Sequence, residues 1–158
     1  MSQIWSIVMK IEYRPGDLFS TDIELILHGC NSKGVMGSGV AKIVRERFPS
    51  TYEAYQLWCS KGFRLGQYLA VPERGKVIIN AVTQQNYGKT AEQLGPNPFR
   101  YVSYDAVAEI MHSLNKVYAG STIAMPTIGA ALGGGDWAVI SSIIESELKT
   151  VQAVVYQL

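Results

Sequence analysis

The sequence predicts an α/β fold in which a mixed, largely parallel sheet carries helices on both sides. Two observations predict it. Short apolar runs alternate with segments of helical periodicity through most of the chain, and two of these runs lead through a glycine-rich loop into a helix. This alternation is typical of parallel strands connected by helices. A chain of 158 residues with 47% apolar content fits one domain, 1–158, around one core.

Charge and cysteine content limit the classes of partner. Fourteen basic and thirteen acidic residues give a net charge of +1, so we expect no broad nucleic-acid or membrane surface. Cys30 and Cys59 lie in different segments without metal-ligand spacing, which favours a reduced, cytoplasmic protein. The N-terminal segment is interpreted as a strand rather than a signal peptide, and no apolar run has the length of a membrane helix.

The stretch Leu25–Phe48 is the most informative part of the chain. Leu25–Leu27 is interpreted as a buried strand, and apolar residues recur at helical spacing from Gly39 until Pro49 ends the pattern. A glycine-rich loop joins the two, with Gly29, Gly34, Gly37 and Gly39. Exposed amides before a helix N-terminus are suited to bind phosphate, and a tight connection is the alternative. Neither the dinucleotide fingerprint nor the P-loop pattern is complete here.

The other elements follow from the same signals. Ser50–Glu53 has the form of a capping box and opens an aromatic helix to about Lys61, whose aromatic side chains we interpret as core packing. A further helix is predicted over Tyr101–Val117, with His112 facing solvent. Strands are predicted at Ile4–Tyr13, Gln67–Pro72, Lys76–Val82, Thr122–Met125 and Gln152–Tyr156.

Polar residues at predicted strand ends are candidates for a ligand site. Asp17 follows the turn that begins at Arg14, and it either caps the next segment or accepts a hydrogen bond from an exocyclic amine. The polar stretch Thr83–Arg100 reads as a long loop. Because ligands gather beyond the carboxyl ends of strands in such sheets, Thr83, Gln84 and Gln85 are expected to line the pocket.

A second glycine-rich loop follows the strand Thr122–Met125. It runs over Pro126–Gly135, and Asp136 stands at the N-cap position of the next helix. If this strand and Leu25–Leu27 are parallel neighbours, both loops lie at one edge and can bind two phosphates of one ligand.

Three motifs carry a resemblance to a known family. They are Gly16-Asp17-Leu18, the run His28-Gly29-Cys30-Asn31 followed by GVMGSGVA, and Met125-Pro126-Thr127-Ile128-Gly129 with GG-x-DW ending at Trp137. On these motifs the chain resembles a macro domain, the ADP-ribose-binding module, over nearly its whole length. The resemblance implies a three-layer α/β/α fold. It is greatest to the branch that holds the ADP-ribose 1″-phosphate phosphatase and related ADP-ribosyl glycohydrolases.

The resemblance also implies a role for each matching residue. Asp17 is expected to recognise the adenine amine, with Leu18 beside it, and Asn31 to lie near the distal ribose. The loop Gly34–Ala41 is expected to wrap that ribose and its phosphate, and Thr127–Leu132 to bind the diphosphate. The expected substrate-binding residues are Gly16, Asp17, Leu18, Gly29, Cys30, Asn31, Gly34, Val35, Met36, Gly37, Ser38, Gly39, Val40, Ala41, Thr83, Gln84, Pro126, Thr127, Ile128, Gly129, Ala130, Ala131, Leu132 and Tyr156.

The implied activity is hydrolysis of ADP-ribose 1″-phosphate. The alternatives are a non-catalytic reader of ADP-ribose, or a hydrolase that removes ADP-ribose from protein or nucleic acid. The related glycohydrolases carry a lysine just after the strand that here ends in Thr83, where this chain has Gln84 and Gln85. Their aspartate in the diphosphate loop corresponds to Gly133. Both departures count against a covalent lysine route, unless Lys89 and Asp136 reach the same place.

The catalytic candidates are Asn31, Asp136 and His28. Asp136 has the alternative role of a helix cap, and His28 that of a buried structural histidine. Cys30 lacks the following arginine that a phosphocysteine loop requires. We expect no metal and no cofactor. The expected partner is a small nucleotide ligand, with nucleic acid only as an ADP-ribosylated substrate, no membrane, and a monomeric state.

Overall fold

A computed structural model describes residues 9–37, 39–62, 64–85, 102–130 and 134–157. Within these ranges six strands form one sheet and four α-helices pack on it. The strands are β1 (Glu12–Pro15), β2 (Leu25–Asn31), β3 (Tyr68–Glu73), β4 (Lys76–Gln84), β5 (Thr122–Met125) and β6 (Gln152–Gln157). The helices are α1 (Gly39–Arg47), α2 (Pro49–Ser60), α3 (Tyr104–Val117) and α4 (Trp137–Glu147). A short 3₁₀ helix covers Leu18–Ser20.

The sheet has the strand order β1-β6-β5-β2-β4-β3. Every neighbouring pair is parallel except β3 with β4, which is antiparallel. The carboxyl ends of β1, β6, β5, β2 and β4 therefore lie at one edge of the sheet.

Each face of the sheet has its own apolar cluster, as strand alternation requires. On one face Leu27, Ile79 and Met125 pack with residues of α3 and α4, such as Ile110 and Ile144. On the other face Ile26 and Ile78 pack with residues of α1 and α2, with Val44 and Tyr55 fully buried. The predicted fold class is confirmed: a mixed, largely parallel sheet lies between two helical layers. No helix in the described ranges has both the length and the apolarity to cross a bilayer.

The first strand is shorter and later than predicted. The prediction was Ile4–Tyr13, whereas β1 runs from Glu12 to Pro15; residues 4–8 lie outside the described ranges. Pro15 was assigned to the turn, yet it ends β1. An edge strand tolerates this proline because β1 pairs only with β6. The chain turns at Gly16, whose amide donates to the Gln157 carbonyl at 3.2 Å.

The predicted capping box at Ser50–Glu53 is wrong. Helix α2 begins at Pro49, and its N-cap, Phe48, makes no side-chain capping bond. The acceptor for the first turn of α2 is instead the carboxylate of Glu73 on β3. It accepts from the Thr51 amide at 2.8 Å and from the Thr51 hydroxyl at 2.9 Å. A tertiary contact therefore replaces the local cap.

The long polar loop begins later than predicted. Thr83 and Gln84 belong to β4, and α3 begins at Tyr104 with Ser103 as its N-cap, whose hydroxyl accepts from the Ala106 amide at 3.1 Å. Residues 86–101 lie outside the described ranges.

Candidate functional site

The candidate site is the sheet edge where five parallel strands end. Strands β2 and β5 are parallel neighbours, in register from Leu25 with Ile123, so the loops that follow them leave the sheet side by side. The end of β4 is tied to the same place, because Ser32 donates its amide to the Gln84 carbonyl at 3.1 Å. The expectation that the two glycine-rich loops share one edge is confirmed by this topology. Ser38, Ala131 and Leu132, which were predicted to bind substrate, lie outside the described residues, as do Lys89 and Gly133.

Gly29, Thr83 and Ile128 meet at the centre of this edge. A Cβ atom at Gly29 would lie 2.9 Å from Thr83 Oγ1 and 3.8 Å from Ile128 Cβ, so glycine is needed for this approach. Thr83 is only 1% exposed, and its hydroxyl has no hydrogen-bond partner within the described residues. Buried hydroxyl groups are nearly always paired in folded proteins. An unpaired one at a junction of strand ends therefore calls for an explanation.

Asn31 organises the loop that follows β2. It is 7% exposed, and its Oδ1 accepts from the amides of Lys33 at 3.0 Å and Val35 at 3.3 Å. Its Nδ2 donates to the Val35 carbonyl at 2.8 Å. These bonds use the side-chain amide to shape the backbone of residues 32–35. The predicted contact between Asn31 and a distal ribose stays a prediction.

The first glycine-rich loop is anchored at Met36. That side chain is 1% exposed and belongs to the apolar cluster shared with α1 and α2, so it faces the core and not the edge. Its neighbour Gly37 is exposed, and Gly39 begins α1. The amides of the first turn of a helix have no acceptor within the helix. The structure therefore leaves donors at the start of α1, beside Val40 and Ala41.

The second glycine-rich loop is a tight turn built around Gly129. This residue has a φ of +73°, and a Cβ atom there would lie 2.7 Å from Val102 Cγ2, so a side chain would be both strained and obstructed. Within the loop the amides of Ile128 and Ala130 donate to the carbonyls of Pro126 at 2.8 Å and Thr127 at 3.3 Å. Ile128 is buried, whereas Pro126, Thr127, Gly129 and Ala130 are half-buried at the edge.

Asp17 and Tyr156 occupy the corner formed by β1 and β6. Asp17 is exposed and caps the 3₁₀ helix: Oδ1 accepts from the Phe19 amide at 2.9 Å and Oδ2 from the Ser20 hydroxyl at 3.2 Å. Tyr156 is half-buried and donates its hydroxyl to Thr21 Oγ1 at 2.9 Å. The Leu18 side chain is buried beneath them. The capping role that the sequence left open for Asp17 is observed, and its exposed carboxylate stays accessible from solvent.

His28 is a structural residue in this fold. Its Nε2 lies 2.6 Å from Asn80 Oδ1, and Asn80 donates its own amide to the Leu69 carbonyl at 3.0 Å. This network assigns the proton to Nε2, because a carbonyl oxygen only accepts. Burial lowers the pKa of His28 to about 4, against the opposing effect of its bond to Asn80. A neutral ring that is 1% exposed has no access to a substrate, so the candidate role of His28 as a catalytic base is not supported.

Cys30 points into the same core region. Its Sγ lies 3.6 Å from His28 Nδ1, and burial raises its pKa. A protonated, buried thiol is a poor nucleophile. Its side chain cannot line the edge, so only the backbone of Cys30 remains a candidate for ligand contact.

Asp136 is the N-cap of α4, as one of the two sequence interpretations proposed. Its Oδ1 accepts from the Ala138 amide at 2.9 Å, and its own amide donates to the Tyr104 hydroxyl at 3.0 Å. The side chain is exposed at the end of the second loop. No group of three or more His, Cys, Asp or Glu side chains arranged for a metal ion occurs in the ranges that the structure describes.

Sequence reasoning missed Tyr55. Its aromatic ring was interpreted as core packing on α2, and the ring is indeed fully buried. Its hydroxyl, however, donates to the carbonyl of Asn31 at the end of β2. The one available signal was the presence of a hydroxyl-bearing ring in an otherwise apolar stripe.

Comparison with known proteins identifies the fold family. The chain is 34% identical over 155 residues to an uncharacterized 17.5 kDa protein of Enterobacteria phage T4, covering 93% of this chain and 96% of that protein. It also superimposes on the macrodomain of Mycobacterium tuberculosis DarG with a TM-score of 0.74 and 28% identity, covering 94% of this chain and 97% of that structure. The chain belongs to the macro domain family. No protein-family model matches it.

Two groups of named relatives resemble this macro domain. It is 28% identical over 154 residues to the DNA ADP-ribosyl glycohydrolase of Mycobacterium tuberculosis, but this match spans only 42% of that protein's length. It is 24% identical over 148 residues to the ADP-ribose 1″-phosphate phosphatase of Candida albicans, spanning 92% of that protein. Both of these named relatives are hydrolases; the chain spans most of the length of the Candida albicans phosphatase and less than half of the length of the glycohydrolase.

Proposed function

We propose that this macro domain binds ADP-ribose along the carboxyl edge of its sheet and hydrolyses ADP-ribose 1″-phosphate to ADP-ribose and phosphate. The observation that carries the proposal is the pairing of β2 with β5, which sets two glycine-rich loops side by side. A diphosphate with a further phosphate on the distal ribose needs closely spaced donors, and adjacent loops of backbone amides supply them.

The adenosine end is assigned to the corner of β1 and β6. Asp17 accepts two hydrogen bonds from its own turn, and its exposed carboxylate retains acceptor capacity for an exocyclic amine. Gly16 and Leu18 flank it, and Tyr156 offers a ring at the end of β6. Opposite this corner, residues 34–41 and the half-buried part of Pro126–Ala130 are assigned to the distal ribose and the phosphates.

The reaction is a transfer of the phosphoryl group to water. The water oxygen forms a bond to phosphorus, the bond from phosphorus to the ribose O1″ breaks, and the leaving oxygen takes a proton to give ADP-ribose. The main-chain amides of Gly37, Gly39 and Val40 are assigned to stabilise the negative charge that develops on the phosphoryl oxygens. Of the three catalytic candidates only Asp136 is an exposed carboxylate. We assign Asp136 as the general base that accepts the proton of the attacking water. Asn31 acts by shaping the loop.

Two observations favour the phosphatase assignment over glycohydrolysis. The match to an ADP-ribose 1″-phosphate phosphatase spans 92% of that protein, so the similarity covers nearly the whole of that enzyme. Gln84 stands at the end of β4, where the resemblance places the lysine of the glycohydrolases, and an amide cannot form a covalent link to the ribose. Removal of ADP-ribose from DNA is the second candidate, favoured by the 28% identity to a DNA ADP-ribosyl glycohydrolase.

The test is an assay of free phosphate. Purified protein is incubated with ADP-ribose 1″-phosphate and, in parallel, with ADP-ribosylated DNA. We expect phosphate release from the first and no ADP-ribose from the second. Because the proposed charge stabilisation comes from amides, phosphate release should persist in EDTA. Tight ADP-ribose binding without turnover of either substrate would instead identify a non-catalytic reader.

Asp136→Asn isolates the assigned proton acceptor. Asparagine caps a helix as well as aspartate does, so the variant keeps the fold of α4 while it loses the carboxylate. We expect ADP-ribose affinity to be retained and phosphate release to fall by about a hundredfold or more. Full turnover in Asp136→Asn would leave Asp136 with its capping role alone.

A further inference from the structure

The hydroxyl of Tyr55 joins helix α2 to the end of strand β2. The ring is fully buried in the apolar cluster with Ile26, Met36 and Val44. Its hydroxyl donates to the main-chain carbonyl of Asn31, the last residue of β2. A phenylalanine would fill this space without a polar atom to satisfy. The hydroxyl is therefore present for the bond that it makes.

The bond from Tyr55 continues into the glycine-rich loop through the side chain of Asn31. Asn31 accepts from the amides of Lys33 at 3.0 Å and Val35 at 3.3 Å and donates to the Val35 carbonyl at 2.8 Å. Fixing the main chain of Asn31 thus fixes the origin of these bonds. The conformation of residues 32–35 therefore depends on Asn31, whose carbonyl is bonded to Tyr55 of α2.

Direct contacts seat the loop on the same helix. A Cβ atom at Gly34 would lie 3.6 Å from Cys59 Cβ and 3.7 Å from Gln56 Cα, so the loop lies in van der Waals contact with α2. Met36 anchors the next residues in the cluster that contains Tyr55. Burial raises the pKa of the Tyr55 phenol, so the hydroxyl keeps its proton and stays a donor to the Asn31 carbonyl.

We propose that Tyr55 is a positioning residue of the ligand site: through the Asn31 carbonyl it sets the geometry of Ser32–Gly37 and, with it, the distal part of a bound nucleotide. This inference rests on the proposed function, which assigns that loop to the distal ribose and its phosphate. Donors that bind a phosphoryl group must be held to within about half an ångström, and a small displacement of a positioning element weakens both binding and turnover.

The test compares two tyrosines of one helix. Tyr55→Phe removes the hydroxyl that holds Asn31. Tyr52→Phe, the matched control, removes a hydroxyl that accepts from Gln56 on the exposed side of α2 at 2.8 Å. Affinities for ADP-ribose and for ADP, which lacks the distal ribose, are measured by calorimetry. We expect Tyr55→Phe to lose about tenfold or more in affinity for ADP-ribose and to keep its affinity for ADP. Tyr52→Phe should match the parent protein for both ligands.

Hydrogen exchange supplies a readout that needs no ligand. The amides of Lys33 and Val35 are protected by Asn31, so Tyr55→Phe should speed their exchange, while amides in the centre of β2 keep theirs. Unchanged exchange at Lys33 and Val35 overturns the inference even if the parent protein binds no nucleotide. A parent protein that binds no nucleotide would contradict the proposed function alone, and the exchange result would still decide whether Tyr55 positions the loop.

Two other outcomes also count against the role of Tyr55. Equal losses for ADP and ADP-ribose would indicate general destabilisation. Unchanged affinity of a folded Tyr55→Phe for ADP-ribose would show that the bond is merely structural. Should Tyr55→Phe not fold, Asn31→Ala removes the next link of the same connection and must show the same selective loss for ADP-ribose, or the inference falls.

Discussion

Thr83 has a buried hydroxyl group for which the described residues provide no hydrogen-bond partner. Its Oγ1 lies beside Gly29, which in turn lies next to Ile128 of the second glycine-rich loop. An unsatisfied buried hydroxyl lowers stability, so its presence at a candidate site suggests that it serves the ligand or an ordered water. On this interpretation the protein gives up some folding stability in order to keep a hydroxyl group that binds the ligand.

Replacing Thr83 by valine tests this trade. Because Thr83 Oγ1 makes no hydrogen bond to the part of the chain that the structure describes, the free energy of unfolding of Thr83→Val should stay the same or rise by about 1 kcal/mol. ADP-ribose affinity should fall. Denaturant unfolding and calorimetry on the same preparations give both quantities, with Thr83→Ser as the control that keeps the hydroxyl. A drop in stability with normal binding would mean that the hydroxyl is bonded within the protein.

His28 makes stability depend on pH. Its pKa is about 4 in the folded chain and 6.5 when exposed, so the unfolded state binds more protons between these values. The contribution of His28 to the free energy of unfolding should therefore be fully present above pH 6.5. It should be lost as the pH falls toward 4, by about 3 kcal/mol over the whole range. Most of this range lies above the titration of ordinary carboxylates.

Urea unfolding at pH 7 and pH 5 measures this dependence. The parent should lose stability over the interval, and His28→Gln should lose less. His112→Gln is the comparison variant, because it removes the other histidine, on the exposed side of α3, and leaves the buried His28 ring in place. Equal stability of the parent at the two values would contradict the assignment of a neutral, buried His28.

At the scale of single elements, α4 shows how far a local motif specifies structure. A glycine-rich run followed by Asp136 and an apolar stripe predicts a capped helix, and the structure has that cap. Helix α2 shows the opposite. Ser50 and Glu53 have the capping-box spacing, yet the N-cap is Phe48, two residues earlier, and the helix takes its acceptor from Glu73 on β3. A carboxylate distant in sequence cannot be found from a local pattern.

The cap of α4 gives a prediction at this scale. Asp136→Ala removes the acceptor for the Ala138 amide and should lower the free energy of unfolding by about 1 kcal/mol. Asp136→Asn should leave it nearly unchanged, because the asparagine oxygen accepts the same bond. Thermal or denaturant unfolding of the two variants checks this. Equal destabilisation in both would show that the charge of Asp136, and not its capping bond, stabilises the helix.

At the scale of the whole molecule, the site exists because of strand order. The loops that follow β2 and β5 are far apart in the chain, and they leave the sheet side by side because these two strands pair in parallel. The corner of β1 and β6 joins the two ends of the described chain in the same way, with Arg14 opposite Tyr156. A ligand that spans both regions would connect segments from most of the sheet.

Ligand binding should therefore stabilise the fold as a unit. A ligand at about a hundred times its dissociation constant adds about 2.7 kcal/mol to the free energy of unfolding. For a chain of this size that corresponds to a rise of about 5–10 °C in the melting temperature. Differential scanning fluorimetry with ADP-ribose measures it, and Asp17→Ala should show a smaller rise at the same ligand concentration. No rise at millimolar ADP-ribose would contradict the proposed binding.

Much of the architecture could be predicted from the chain alone. Buried apolar runs such as Leu25–Leu27 and the stripe of α3 specify strands and helices locally, because period and burial are encoded in neighbouring residues. The motifs around Asn31 and Gly129 indicated the family. The first strand was misplaced because Pro15 reads as a turn residue, and only its position at the sheet edge makes it acceptable in β1.

By itself the sequence determined the alternation of elements, the two glycine-rich loops and the resemblance to macro domains. The tertiary structure decided what individual polar side chains do. It buried His28 beside Asn80, bonded the Asn31 side chain to the loop that follows it, and brought Tyr55 to a carbonyl 24 positions away in the chain. Among the described residues it also left the hydroxyl of Thr83 without a partner. The physical reason is that a hydrogen bond depends on which atoms meet across strands and helices, and the chain specifies those meetings only after it has folded.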